Sequence, residues 1–150
     1  MPVQRGVRSF VAVDLPPDLR LRLGELVQSL ESRSPRGSVR WVRPQGIHLT
    51  LKFLGDVAPA GLPPIHDLLA AAAGRLSTFR LSIAGLGCFP NPRRTRVVWV
   101  GVEDPTGGLR TLQADIEGGL ERLGYPREER PFSPHLTLGR VRQELSLIHI

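Results

Sequence analysis

The tetrapeptide His-Leu-Thr-Leu occurs twice in this chain, at residues 48–51 and again at residues 135–138. The chain has four histidines in 150 residues, and two of them sit in this same local sequence. A motif repeated with its apolar neighbours indicates a duplicated structural unit. We therefore expect the fold to bring the imidazoles of His48 and His135 to one site.

Each motif reads as a strand with two different faces. Successive side chains of a strand point to opposite sides of the sheet. His48 and Thr50 then share one face, whereas the leucines between them, followed by Phe53, share the other. The second motif repeats the arrangement with His135 and Thr137. Each motif therefore buries a leucine face and presents a His-Thr face.

Three cationic residues lie close to the motifs in sequence. By alternation Lys52 lies on the His48 face, where it could touch phosphate or simply be an exposed strand lysine. Arg130 lies in the loop before the second motif and could contact substrate. Arg140 falls on the leucine side by the same count, so a direct catalytic role would need a break in the alternation. We therefore leave Arg140 out of the predicted site.

Composition limits the class of protein. No apolar run approaches the eighteen or so residues that a membrane helix needs, and the N-terminus lacks a secretory signal, so we expect a cytoplasmic protein with no membrane partner. The single cysteine, Cys88, excludes an internal disulfide and a Cys-based zinc site. The net charge of +6, carried by nineteen arginines and one lysine, gives weak support for a phosphate-bearing partner.

Periodicity and turn signals predict nine elements in the order β-α-β-β-α-β-β-α-β. Short connections between neighbouring strands favour a mixed α+β fold with mostly antiparallel sheets. Asp18 is the predicted cap of the first helix, and Asp104 begins the third. The predicted strands cover residues 8–15, 39–42, 47–54, 79–83, 95–102 and 135–141, the helices 19–32, 65–75 and about 106–123, and a loop 85–94.

The last six residues, 145–150, have an unusual sequence. Leu-Ser-Leu-Ile-His-Ile is what a common transposase-adaptor sequence encodes when a sequencing read runs into it. We therefore expect one bilobal domain over residues 1–144, truncated at its C-terminus, followed by an artefact in which His149 has no function. The alternative is a genuine apolar terminal strand.

Two histidines suit the opening of a cyclic phosphodiester. That reaction needs a base to take a proton from water and an acid to protonate the leaving alkoxide. Imidazole, with an unperturbed pKa of about 6.5, fills either role near neutral pH. Hydroxyl and cationic donors then stabilise the non-bridging oxygens as charge develops. The scheme requires no metal and no cofactor, and the sequence offers no carboxylate or cysteine cluster for a metal.

The chain resembles the two-histidine (2H) phosphoesterases, which are defined by paired His-x-Thr-x motifs. It is most similar to the RNA 2′,3′-cyclic phosphodiesterases, also called 2′-5′ RNA ligases. The resemblance rests on three segments that together span most of the chain: the opening strand, the first motif with its Lys-Phe-Leu-Gly extension, and the second motif with its Pro-Phe-Ser-Pro approach. They are residues 8–16, 48–55 and 130–140.

The resemblance implies a bilobal α+β fold of duplicated antiparallel sheets with flanking helices, pseudo-twofold symmetry and a central cleft. It implies that the protein hydrolyses a terminal 2′,3′-cyclic phosphate to a 2′-phosphate. The substrates would be RNA ends, which could include tRNA fragments, and the enzyme would be a monomer. The family's roles, assigned to the matching positions of this chain, imply that His48 donates a proton to the leaving 3′ oxygen and that His135 activates water. They also imply that Thr50 and Thr137 hold the phosphate. Because the motifs are identical, local sequence alone cannot assign the two histidine roles.

Other interpretations stay open on the residues alone. The same histidines could act on 2′-5′ linkages or on a small cyclic nucleotide, or the chain could be a basic RNA-binding module without turnover. Trp41 and Trp99 are expected in the sheet or core, although either could stack on a base. His66 is expected to be an ordinary surface residue.

Overall fold

A computed structural model describes the backbone of residues 5–145 and the side chains of residues 5–142. The predicted order of nine elements is confirmed. Residues 146–150, which include His149 and most of the suspected adaptor segment, lie outside the described residues. The elements are β1 (Val7–Val13), α1 (Pro17–Ser32), β2 (Val39–Trp41), β3 (Leu49–Val57), α2 (Leu62–Gly74), β4 (Ser82–Asn91), β5 (Arg94–Glu103), α3 (Gly108–Arg122) and β6 (His135–Leu145).

The chain divides into two compact units. The first comprises residues 1–12, 50–82 and 104–133, and the second comprises residues 13–49, 83–103 and 134–150. The first unit contains α2, α3 and nearly all of β1 and β3, which pair with each other. The second unit contains α1, β2, β5, β6 and nearly all of β4. Helices beside antiparallel strands confirm the α+β class expected from the sequence.

β6 is the strand around which the second unit is organised. It pairs antiparallel with β5 along one edge and with β2 along the other. The first residue of β3, Leu49, also pairs antiparallel with β6, opposite Leu136. β4 continues the order beyond β5. The second motif therefore lies in a strand with neighbours on both sides, which fixes its backbone.

β4 is where the sequence prediction fails. The expected strand 79–83 and loop 85–94 are replaced by a strand from Ser82 to Asn91, joined to β5 by a two-residue turn. Glycine and proline suggested a loop. Gly87 serves packing instead, since a Cβ there would lie 2.2 Å from the indole of Trp99.

The helix starts differ from the predicted ones. α1 begins at Pro17 with Pro16 at its N-cap, and the predicted cap, Asp18, lies inside the first turn. A proline at the first position suits the start because its missing N–H has no helical partner there. Asp104 does anchor α3, although the helix begins four residues later: its carboxylate accepts the backbone N–H groups of Leu109 at 3.1 Å and Arg110 at 2.9 Å.

Apolar side chains fill the interior of each unit. In the first unit α2 and α3 pack closely at Gly119, where a Cβ would lie 2.5 Å from Leu68. In the second unit, Leu49, Leu136 and Leu138 are at most 1 % exposed. None of the helices in the described residues is long and apolar enough to cross a bilayer.

Candidate active site

The two motifs meet where the first residue of β3, which belongs to the second unit, pairs with β6. Leu49 pairs with Leu136 in antiparallel register. Extending that register by one residue places His48, immediately before β3, opposite Thr137. Directly opposed residues point to the same side of a sheet. The imidazole of His48 and the hydroxyl of Thr137 therefore project from one face, and the leucine pair projects from the other.

His48 and His135 are diagonal neighbours on this face, which we call the histidine face. His135 is the first residue of β6, two residues before Thr137. Residues in this diagonal relation on neighbouring strands lie about 7–8 Å apart, so we expect that distance between His48 and His135. Both histidines are half-buried. Two imidazoles at this spacing can contact opposite sides of a single phosphate group, as an acid and a base must.

Aromatic side chains surround His135. The ring of Phe89 meets the imidazole edge to face, with ring centroids 5.1 Å apart and an interplanar angle of 88°. The indole of Trp99 lies 6.1 Å from His135 and 5.2 Å from Phe89. Such packing restricts the rotation of the imidazole. His135 thus has a largely apolar wall on one side.

Two glycines near this wall are closely approached, Gly87 by the indole of Trp99 and Gly101 by a backbone carbonyl. A Cβ at Gly87 would overlap the indole, and a Cβ at Gly101, which lies opposite His135, would lie 3.6 Å from it and 2.7 Å from the carbonyl oxygen of Ala84. The indole Nε1–H of Trp99 is buried and has no hydrogen-bond partner among the described residues. Trp99 is a sheet residue, as expected.

A charged cluster lies near His48. The guanidinium of Arg20, on α1, donates to the carbonyl oxygens of Pro44 at 2.8 Å and Leu15 at 3.2 Å, and to the carboxylate of Asp14. These bonds join the end of β1 to the turn that leads into His48. The side chain of Arg20 is 18 % exposed and that of Asp14 is 86 % exposed.

The carboxylate of Asp14 is electrostatically coupled to this cluster. The hydrogen bond and the positive charge of Arg20 are the main reasons why the pKa of Asp14 lies below its ordinary value. The backbone N–H of Leu15 lowers it further, and the charge of His48 contributes in the same direction. Asp14 is therefore close enough to interact with a protonated imidazole at His48.

A bulge interrupts β6 immediately after Thr137. Trp99 of β5 pairs with Thr137, but the preceding β5 residue, Val98, pairs with Gly139. Two β6 residues, Leu138 and Gly139, thus occupy the place of one, and both are buried. The alternation of side chains is broken at this point.

The bulge turns Arg140 onto the histidine face. Arg140 pairs with Val97, and Val97 lies on the same side of β5 as Trp99, which pairs with Thr137. Arg140 is exposed, in keeping with this orientation. The prediction that Arg140 lies on the leucine side is therefore wrong, because it assumed unbroken alternation along β6.

In the first unit, the buried side of β3 is the one that carries Lys52. Lys52 is not exposed: its ammonium is buried and donates to the carboxylate of Glu117 at 2.5 Å and to the carbonyl oxygen of Pro126 at 2.6 Å. Phe53, expected on the buried face, is 71 % exposed and contacts Phe10, with ring centroids 6.2 Å apart. Both expectations are wrong, because in this unit Glu117 of α3 lies over the side of β3 that carries Lys52.

Glu117 is the centre of a buried polar network in this unit. Besides Lys52, its carboxylate accepts the side-chain amide of Gln113 and the backbone N–H of Glu128, each at 3.1 Å. The network fixes residues 126–128, which begin the approach to the second motif. Arg130, two residues later, is exposed, and its contact with substrate stays a prediction.

The remaining residues singled out in the sequence lie at the following positions. Thr50 is half-buried between two buried leucines on β3. His66 is an exposed residue of α2, as expected. Trp41 packs over Gly139, where a Cβ would lie 2.8 Å from its ring. Cys88 is half-buried in β4.

Sequence reasoning missed Asp14 and Phe89. Asp14 is the last residue but one of a predicted strand and Phe89 lies in a predicted loop, so neither carries a local signal of proximity to a histidine. Only the pairing of distant strands brings them to the site. The local signal for Arg140 is its glycine neighbour, since an isolated glycine in a strand often marks a bulge.

Comparison with known proteins agrees with this geometry. Residues 13–99 and 100–147 match the LigT-like phosphoesterase family. The RNA 2′,3′-cyclic phosphodiesterase of Methanothermobacter thermautotrophicus is 40% identical over 136 residues, which cover 91% of this chain and 72% of the relative. The crystal structure of TT0787 of Thermus thermophilus matches with a TM-score of 0.79 and 32% identity, covering 93% of this chain and 76% of that one.

A solved complex supplies one further comparison. The structure of E. coli LigT complexed with 3′-AMP matches with a TM-score of 0.68 and 30% identity, covering 91% of this chain and 73% of that one. The resemblance inferred from the two motifs is confirmed at the level of the family. The chain therefore belongs to the LigT-like phosphoesterases, the 2H family whose paired motifs its sequence carries.

Proposed function

We propose that the chain hydrolyses the terminal 2′,3′-cyclic phosphate of RNA to a 2′-phosphate. The observation that carries the proposal is the pairing of Leu49 with Leu136. By sheet geometry this pairing puts His48 and His135 on one face, about 7–8 Å apart, with Thr137 opposite His48. The relatives named as RNA 2′,3′-cyclic phosphodiesterases support the same reaction. Metal-independent hydrolysis needs only the groups that this face provides.

The reaction is a displacement at phosphorus. A water molecule attacks the cyclic phosphate, a P–O bond forms, and the bond from phosphorus to the 3′ oxygen breaks. His135 takes a proton from the water as general base, and His48 gives a proton to the departing 3′ oxygen as general acid. The product carries a 2′-phosphate and a free 3′-hydroxyl, and one water molecule is consumed.

The surroundings of the two histidines support this division of roles. The interaction of Asp14 with His48 is attractive only when the imidazole carries a proton, which is the form that a general acid needs. His135 packs against the rings of Phe89 and Trp99, which hold its imidazole in one orientation, as a general base requires.

Hydroxyl and guanidinium groups stabilise the phosphate oxygens. Thr137 lies opposite His48, and Thr50 is the equivalent residue of the first motif. Both hydroxyls can donate to a non-bridging oxygen. Arg140, turned onto the histidine face by the bulge, adds positive charge where negative charge develops. Arg130 contributes a further contact to the RNA.

The substrates are RNA fragments with cyclic phosphate ends, tRNA fragments among them, and the protein acts as a cytoplasmic monomer. The basic balance of the chain, +6, favours a polyanionic substrate of this kind. Hydrolysis that weakens as salt concentration rises, together with a monomeric mass in solution, would support this part of the proposal.

The decisive experiment is hydrolysis of a short RNA ending in a 2′,3′-cyclic phosphate, with EDTA present. We expect a 2′-phosphate product from the wild type and a loss of about 10²- to 10⁴-fold in kcat for His48→Ala and for His135→Ala. His66→Ala is the matched control, because His66 is an exposed histidine of α2. No turnover by the folded wild type, or an equal loss in the control, would refute the proposal.

A modified substrate separates the acid from the base. Replacing the 3′ oxygen of the cyclic phosphate by sulfur creates a leaving group that departs as a thiolate and needs no proton. On this substrate His48→Ala should recover most of the wild-type rate, whereas His135→Ala should stay inactive. The opposite pattern would show that His135 is the general acid and His48 the general base.

A further inference from the structure

Two arginines lie directly opposite each other beside the histidine face. Arg40 of β2 pairs with Arg140 of β6, and both side chains are exposed. The neighbouring β2 residue Val39 is buried, so Arg40 points away from the core. Since Arg140 lies on the side of Thr137, Arg40 lies on that side too.

This pair of like charges is unfavourable on its own. Directly opposed like charges destabilise a sheet. Among the side chains that the structure describes, no carboxylate forms an ion pair with Arg40 or Arg140. Arg142, next but one along β6, is also exposed and adds positive charge. The arrangement is favourable when an anion lies between or above the guanidinium groups.

The arginine pair lies close to the residues of the proposed active site. On β5, the partner of Arg140 is two residues from the partner of Thr137, a distance of about 7 Å along the strand. A phosphate bound at Arg40 is thus separate from one held by the two histidines. A guanidinium presents a planar fork of donors that suits the two free oxygens of a phosphodiester.

We propose that Arg40 binds the phosphodiester immediately 5′ of the reacting cyclic phosphate. The inference rests on the proposed function and deepens it, because it makes the enzyme prefer an RNA strand to a mononucleotide. A nucleoside 2′,3′-cyclic phosphate has no second phosphate to offer. A dinucleotide with the same terminal ring has one, and Arg40 contacts it.

The test compares two substrates: a nucleoside 2′,3′-cyclic phosphate and a dinucleotide that ends in the same group. The measured quantity is the ratio of kcat/KM for the dinucleotide to kcat/KM for the mononucleotide. We expect Arg40→Gln to lower this ratio by about 3- to 10-fold, as the loss of one charge-assisted contact does. Arg40→Lys, which keeps the charge but loses the fork, should give an intermediate ratio.

Arg22→Gln is the matched control, because it removes one positive charge from an exposed position of α1. Its ratio should equal that of the wild type. An unchanged ratio in Arg40→Gln, or an equal fall in Arg22→Gln, would overturn the proposal. Wild-type protein that hydrolyses neither substrate would refute the proposed function instead. In that case the subsite is tested by calorimetric binding of a dinucleotide 3′-phosphate against a nucleoside 3′-phosphate, with the same variants and the same criterion.

Discussion

Leu49 and Leu136 pair with each other in antiparallel register at the point where the two His-Leu-Thr-Leu motifs meet. Both leucines are at most 1 % exposed, so their side chains bury one face of this pair of strands. The flanking histidines and threonines consequently project from the opposite face. One buried pair therefore fixes the position of the groups on which catalysis depends.

Leu136→Ala should lower the free energy of unfolding by about 2–5 kcal/mol, because it leaves a cavity beneath the site. Urea denaturation monitored by tryptophan fluorescence would measure the change. Leu21→Ala is the control, since Leu21 is 68 % exposed on α1 and should change stability by less than about 0.5 kcal/mol. Similar losses in the two variants would show that burial at Leu136 does not carry this stability.

The buried pair of Lys52 and Glu117 offers a second stability test. Glu117→Gln should lower the free energy of unfolding by about 3–5 kcal/mol, because it leaves the ammonium of Lys52 buried without a counter-charge. The double variant Lys52→Met/Glu117→Leu should recover much of that loss, since apolar residues of similar volume replace both charges. A double variant less stable than Glu117→Gln in urea would contradict this account.

How far the sequence predicts the fold differs between its elements. The element order was predictable because apolar periodicity and turn residues mark most helices and strands. The pairing of the two motifs was suggested by the repetition itself. β4 was missed, because one of its glycines, Gly87, makes room for Trp99, and a sequence does not show which side chain lies above a glycine.

The site shows the same limit. Alternation puts His48 and Thr50 on one face, but it fails at Arg140, and it does not show which face of β3 is buried at Lys52. A bulge reverses the direction of Arg140, and Glu117 of α3 pairs with Lys52 in the interior of the first unit. Both causes are tertiary, so no count along a single strand could contain them.

Asp14 should support hydrolysis through its electrostatic interaction with His48. In Asp14→Asn the attraction between the carboxylate and a protonated His48 is lost, so kcat/KM should fall. Asp18→Asn, which removes an exposed carboxylate from the first turn of α1, serves as the control. Equal kcat/KM values for wild type and Asp14→Asn would exclude this influence.

The lowered pKa of Asp14 also predicts how stability depends on pH. The unfolded chain, with an aspartate pKa of about 3.9, binds a proton more readily than the folded one. The ionised carboxylate therefore stabilises the fold above pH about 4, and this contribution is lost as the pH falls through the lowered value. The difference in unfolding free energy between wild type and Asp14→Asn should shrink from about pH 6 to about pH 3. A constant difference would contradict the link.

The edge-to-face contact of Phe89 with His135 makes Phe89 a positioning residue. Phe89→Leu should lower kcat by about 3- to 10-fold with little change in KM, because the imidazole loses orientation while the phosphate contacts remain. Phe89→Tyr, which keeps the ring, should retain most of the rate. Phe79→Leu is the control, since Phe79 packs over Gly108 in the other unit. If KM rose and kcat stayed constant, Phe89 would instead contact the substrate and would not orient His135.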